Sequence, residues 1–190
     1  MTDALPPVVV ERLHGLEGRR VLHIGCGDGE ATVELAALGA LVTGVEADPD
    51  ALAAARAREP ELPWVHGDAE HLPAELQRGR ADLVVAGPRS LSGAADLDAW
   101  AAGLAVALRP GGELIVDAAH PALDCLDEVL RWRGDYFGAG AAPRVGQIVT
   151  AVAGAGLVVR LVEELPEYPP LRPQASKAPG RLLVLASKPD

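Results

Sequence analysis

"VLHIGCGDG", residues 21–29, runs an apolar strand straight into a glycine-rich turn. Such a turn lets a backbone approach a nucleotide-bearing ligand closely, because no side chain stands in the way. The dinucleotide fingerprint needs G-x-G-x-x-G, whose third glycine lets the following helix pack against the strand. Counted from Gly25 and Gly27, that third position is Glu30, and a carboxylate there would repel a pyrophosphate. The spacing is G-x-G-x-G instead, which suits a ligand without phosphates.

Strand and helix patterns alternate outward from this turn. "RVLHIG" (20–25) reads as a strand, and "EATVELAALG" (30–39) as a helix with Gly39 placed as its terminator. "LVTGVEA" (41–47) is a second strand. "DPDALAAARARE" (48–59) is a helix with Asp48 as N-cap and Pro49 at its first position. "PWVHGD" (63–68) and "ADLVVAG" (81–87) are further strands, followed by the helical "ADLDAWAAGLAVAL" (95–108), a turn at "RPGG" (109–112) and the strand "ELIVDAA" (113–119). "VGQIVTAVAGAG" (145–156) is helical and "LVVRLVEE" (157–164) extended. The stretch 165–180 holds five prolines and must be a loop, and "RLLVLASKP" (181–189) is a last strand. Two strands joined by a loop without a helix pair as antiparallel neighbours. The expected fold is therefore α/β: a doubly wound, mostly parallel, seven-stranded sheet with an antiparallel last strand. One domain is expected over 1–190. Residues 1–19 form a short N-terminal segment, 20–119 a ligand-binding core, and 120–190 the helices, proline-rich loop and last strands beyond it.

Composition narrows the function classes. The 190 residues are 49% apolar and 23% charged, as in a folded globular chain that buries roughly 70% of its unfolded surface. Seventeen basic against 27 acidic side chains give a net charge of −10, a field that repels nucleic-acid phosphates and anionic membranes. No apolar run approaches the ~20 residues of a membrane span, and "MTDALPPVVVERL" lacks the pattern of a signal peptide. Cys26 and Cys125 form neither a ligand-spaced motif nor a disulfide framework. A cytoplasmic protein with small-molecule partners, and neither nucleic acid nor membrane among them, is the expectation.

Acidic residues fall at the ends of the next two strands. Glu46 closes the second strand, where a carboxylate can accept both hydroxyl protons of a ribose and reject a 2′-phosphate. Asp68, in "GDAEHLP" (67–73), is placed to accept a proton from the exocyclic amine of adenine. With "LRPGGELIVD" (108–117) before the fifth strand, the chain resembles the class I S-adenosylmethionine-dependent methyltransferases. Motifs carry the likeness over about residues 15–120 and topology carries it over the rest.

This resemblance implies S-adenosyl-L-methionine as cofactor and methyl transfer to a small-molecule acceptor as activity. Gly25, Cys26, Gly27 and Gly29 would let the backbone pass close to the methionine half. Glu46 would hold the ribose, Ala47 would lie against the adenine, and Asp68 with the N–H of Ala69 would read its edge. Ala86 and Gly87 would line the floor. His23 departs from the pattern: the family has Asp or Glu there, bonding the cofactor's ammonium. A neutral histidine can accept one such bond, or can simply be a semi-buried residue touching the turn. Cys26 is expected to pack, since nothing nearby lowers a thiol pKa.

Methyl transfer from a sulfonium needs alignment more than a base, so no catalytic motif is required. His120, in "DAAHPALD", is the best-placed candidate base; its other role is a loop or N-cap histidine ahead of a helix. Three of the six aromatic residues, Trp132, Tyr136 and Phe137, cluster in "RWRGDYFG" and are expected, with Tyr168 and Arg172 of the proline-rich loop, to face the acceptor. An alternative function keeps the cofactor but performs another reaction or a binding or regulatory role in a biosynthetic pathway. An NAD-binding Rossmann protein is disfavoured by Glu30.

Overall fold

The computed structural model describes residues 5–127, 131–138, 142–166 and 178–190. A short helix α1 (Pro7–Val10) precedes β1 (Arg20–Ile24), α2 (Glu30–Ala37), β2 (Leu41–Glu46), α3 (Pro49–Arg58), β3 (Trp64–His66) and β4 (Ala81–Ala86). There follow α4 (Pro88–Ser92), α5 (Leu97–Ala107), β5 (Leu108–Ala119), a 3-10 turn (Pro121–Cys125), α6 (Val145–Gly154), β6 (Val158–Pro166) and β7 (Pro179–Ser187). Among the described residues no helix is long and apolar enough to cross a membrane.

The sheet order is β3-β2-β1-β4-β5-β7-β6. β1 lies parallel to both β2 and β4, so the order reverses at β1 and leaves a crevice beyond its carboxyl end. β7 runs antiparallel to both β5 and β6, so the expected reversed strand is β7 and β6 shares the direction of β1–β5. Arg109–Gly112 fall within the span of β5. They form an irregularity there, because the pairing jumps from Ala81↔Leu108 to Leu83↔Glu113.

Neighbouring strand residues feed opposite faces. Leu22, Val84 and Val116 pack with Trp100, Leu104 and Ile148. Val21, Leu83 and Val85 pack with Val9, Leu16 and Leu35. Burial on both sides is why these strands read as continuous apolar runs and not as alternating ones. The caps follow the sequence. Asp48 accepts from the N–H of Asp50 at 3.0 Å and of Ala51 at 3.4 Å, and Asp96 caps α5 through Asp98 and Ala99.

Charge fixes the reversed strand. Arg181 Nη1 donates to Asp117 Oδ1 and Oδ2 at 2.5 and 2.6 Å, on the diagonal of the β5–β7 ladder. Burial pushes the Asp117 carboxyl up, while the guanidinium pulls it down. At the opposite end of the sheet, Asp82 accepts from Arg20 and Arg109 and is held well below the usual carboxylate range, mainly by the Arg20 bond.

Helix α5 comes unusually close to the loop after β3: a Cβ on Gly103 would run into the Ala69 carbonyl. Alanine is normally worth about 1 kcal/mol over glycine inside a helix. Here the clash should win. Gly103→Ala is expected to lower urea-unfolding stability by about 1–2 kcal/mol, since overpacking costs about 1–3. A stability gain would show that α5 can slide away from Ala69.

Candidate functional site

The turn leaving β1 is built on three left-handed glycines, with φ of 71°, 57° and 85° at Gly25, Gly27 and Gly29. The N–H groups of Gly25 and Cys26 donate to the Val45 carbonyl at 2.8 and 3.1 Å, tying the turn to β2. Gly25 is constrained by space as well as by φ: a Cβ there would strike the backbone of Ser90 in α4. Cys26 is buried, and burial together with the Glu46 charge pushes its thiol up to about 12. It stays protonated and packs, as its position predicts.

Glu46 ends β2 and is buried. Its Oε2 accepts the Gly27 N–H at 2.7 Å, and its Oε1 accepts the Asp48 N–H at 2.9 Å. Arg89 Nε stands 3.4 Å from Oε2, and Arg89 Nη2 is 3.0 Å from Asp48 Oδ2. A buried carboxylate needs such partners to remain charged.

His23 lies in β1, its Nδ1 2.8 Å from the buried Thr32 hydroxyl on α2. Burial lowers its pKa to about 4, so the ring is neutral at physiological pH. Nε2 has no hydrogen-bond partner among the described residues and faces Gly87, where an added Cβ would sit 3.1 Å from it.

Ala86 closes β4, and the Gly87 N–H donates to the Ile24 carbonyl at 2.9 Å, starting α4. After β3, Asp68 Oδ1 accepts the His71 N–H at 2.7 Å and so shapes its own loop. Ala69 is buried behind it. Glu70 Oε1 accepts from the N–H groups of Ala95 and Asp96 at 2.5 and 3.1 Å, joining this loop to the start of α5. Gly25, Glu46, Ala47, Asp68, Arg89 and Trp100 are among the residues that line one cleft of about 60 Å³ at the carboxyl ends of the strands. A larger cavity of about 470 Å³ opens at the amino ends of β1, β2 and β4, far from this crevice. Open α/β sheets bind their ligands at the carboxyl ends, so the smaller cleft is the candidate.

Sequence reasoning missed Thr32, Glu70, Arg89 and Ser90. Arg89 belongs here because α4 folds back over Gly25, a contact the local sequence does not announce. The others depend on packing alone.

His120 takes the N-cap role that was open to it. Its Nδ1 accepts the Ala122 N–H at 3.1 Å, and Nε2 meets Glu164 Oε1 on β6 at 2.7 Å. Nε2 donates to Glu164 and the Nδ1 lone pair is engaged, so proton abstraction would require the Ala122 bond to break. Trp132, Tyr136 and Phe137 do cluster, with ring centroids 6.4 Å apart for the first pair and 5.2 Å for the second. Trp132 is 57% exposed and Phe137 74%, so they are not core. Arg144 sits over the Phe137 ring at 5.4 Å. Tyr168 and Arg172 lie outside the described residues.

Comparison with known proteins fits this geometry. The family described as a methyltransferase domain matches residues 21–112. An uncharacterized methyltransferase of Synechocystis is 44% identical over 75 residues, covering 40% of this chain and 34% of its own. A ubiquinone biosynthesis O-methyltransferase of Aromatoleum aromaticum is 36% identical over 109 residues, covering 55% and 46%. The chain thus spans a third to a half of the length of these curated relatives. An S-adenosylmethionine-dependent methyltransferase from Mesorhizobium loti shares the fold, with a TM-score of 0.77 at 24% identity over 96% of each chain.

The buried neutral His23 makes a pH prediction. Its folded pKa is about 4 against about 6.5 for an exposed histidine. Between those values the unfolded chain binds a proton that the folded chain refuses. Its contribution is therefore whole above pH ~6.5 and is lost as pH falls toward ~4, at up to about 1.4 kcal/mol per pH unit. Between pH 6.5 and 5, urea unfolding of the parent should lose about 1.5 kcal/mol more than that of His23→Gln. Equal losses would mean that His23 is charged in the fold.

Proposed function

Because the chain belongs to the class I S-adenosylmethionine-dependent methyltransferases, we propose that it methylates a small-molecule acceptor, with S-adenosyl-L-methionine as methyl donor. The observation that carries this is Glu46, a buried carboxylate at the carboxyl end of β2, bonded to the backbone of the glycine turn beside it. A carboxylate so placed suits the two hydroxyls of a ribose.

The other donors and surfaces of the cleft suit the rest of the cofactor. Asp68 would accept from the adenine amine, the Ala69 N–H would donate to a ring nitrogen, and Ala47 would lie against the ring. Gly25, Cys26, Gly27 and Gly29 would hold the methionine half by backbone alone, over a floor of Ala86 and Gly87. The unpartnered Nε2 of neutral His23 can accept a bond from an ammonium, as a carboxylate would, though without its charge.

When bound, the cofactor supplies a methyl group on a positively charged sulfur. The protein's task is then to align the acceptor and exclude water, and alignment alone supplies much of such a barrier reduction. A base is needed only if the acceptor is protonated at working pH. His120 remains the candidate for that step, on condition that the acceptor displaces the Ala122 N–H from Nδ1, because Nε2 donates to Glu164. The exposed cluster of Trp132, Tyr136 and Phe137 would offer apolar area to the acceptor. A small acceptor is supported by the net charge of −10, which disfavours polyanions, and by the O-methyltransferase relatives.

The test is release of S-adenosylhomocysteine when the protein meets S-adenosylmethionine and a panel of phenols, carboxylic acids and amines. Release dependent on one acceptor class is expected. Tight cofactor binding with no turnover on any of them would favour a cofactor-binding protein that does other work. Glu46→Ala should weaken S-adenosylhomocysteine binding by about 2–3 kcal/mol in a calorimetric titration, and Asp68→Ala by less, since the first removes charge-assisted bonds to two hydroxyls. Unchanged affinity in Glu46→Ala would remove the ribose assignment.

A further inference from the structure

The cleft at the carboxyl ends of β1, β2 and β3 is too small for what its donors suit. It encloses about 60 Å³, whereas ligand pockets run to about 300–1,000 Å³. One wall accounts for the shortfall. Gly87 starts α4 immediately after β4, and the Ser90 backbone rests on Gly25 so closely that only glycine fits there. Ser90 Oγ accepts the buried Trp100 Nε1–H at 2.9 Å, which anchors the helix on α5. Anchored in this way, α4 extends Arg89 across the cleft to the far carboxylates, Glu46 and Asp48.

The bond count at Glu46 shows what this means. An ionised carboxylate offers about four lone-pair sites. The N–H groups of Gly27 and Asp48 take two, and the Arg89 guanidinium crowds Oε2 from 3.4 Å without a hydrogen bond to it. Two are left, one of them on the oxygen that the guanidinium crowds, and a ribose diol needs both. Arg89 is the only cationic side chain lining the cleft among the described residues. Its side chain is 42% exposed and that of Asp48 46%, so the contact between them is wet and reversible.

We propose that Arg89 is a built-in competitor for the ribose-binding carboxylate: it occupies Glu46 and Asp48 in the ligand-free protein and must leave when the diol arrives. This rests on the cofactor assignment made above and adds the residue that sets its affinity. The cost of releasing the Arg89 contacts is subtracted from every binding event.

The test titrates the full chain with adenosine, which carries the diol and no charge, so that long-range attraction plays no part. Arg89→Ala and Arg89→Met, the second keeping the apolar stem, should each bind adenosine on the order of fivefold more tightly than the parent, the strength of one exposed pair. The gain should be under about twofold for 2′,3′-dideoxyadenosine, which has no use for Glu46. High salt should tighten adenosine binding to the parent and leave both variants unmoved, because only the parent has a pair to screen. Equal or weaker adenosine binding in both variants would overturn the competitor role and leave the cofactor assignment standing. An equal gain for the dideoxy compound would also overturn it, since Arg89 would then merely fill space. If neither parent nor variants bind adenosine, the cofactor assignment fails and the competitor role fails with it.

Discussion

The carboxylate of Glu46 accepts the Gly27 N–H across the gap between two strand ends, and most of the site's geometry follows from that bond. β1 and β2 are already in register, with Ile24 opposite Val45, when their chains diverge. The turn after β1 must pass over β2 without side chains in the way, and it is held down by Val45 from below and by Glu46 from the side. A buried charge would be expensive at this place without partners. It has two backbone donors and a guanidinium. The same demand for partners that stabilises the turn is what suits this carboxylate to the hydroxyl groups proposed for it.

The wall opposite obeys a different constraint. Small residues permit close approach: Gly25 in the crevice admits the Ser90 backbone, and Gly103 behind it on α5 admits the Ala69 carbonyl. Close approach builds a rigid crevice with accurately placed edges, at the expense of empty space within it. His23 shows the same economy. In β1 a charged acid would need its own set of donors, whereas a neutral ring needs only the Thr32 hydroxyl and keeps one nitrogen free.

The architecture was legible because its signals are local. Asp48 with Pro49, and the apolar runs of β1, β4 and β5, state their structure within a few residues, and the proline-rich sequence between the last two strands pointed to their antiparallel pairing. Strand ends locate Glu46 and Asp68 by the same logic. What escaped the sequence is set by contacts between distant segments. Arg89 matters because α4 folds back over Gly25, and "PRSLS" is too short to show a helical period. The second partner of His120 is Glu164, 44 residues away on an edge strand, so its N-cap role was readable and its bridging role was not. The Arg109–Gly112 stretch reads as a turn and becomes an irregularity within β5, since its neighbours pair on both sides of it.

Cofactor binding in the carboxyl-end crevice beside β1 is proposed to run through Glu46. A crystal structure of the protein with S-adenosylhomocysteine tests it most directly. The ligand's ribose hydroxyls should lie within hydrogen-bond distance of both Glu46 oxygens, its adenine between Ala47 and the Asp68–Ala69 loop, with the Arg89 side chain withdrawn from Glu46. A ligand seated in the 470 Å³ cavity at the amino ends of the strands, or one in the crevice whose ribose turns away from Glu46, would contradict the account.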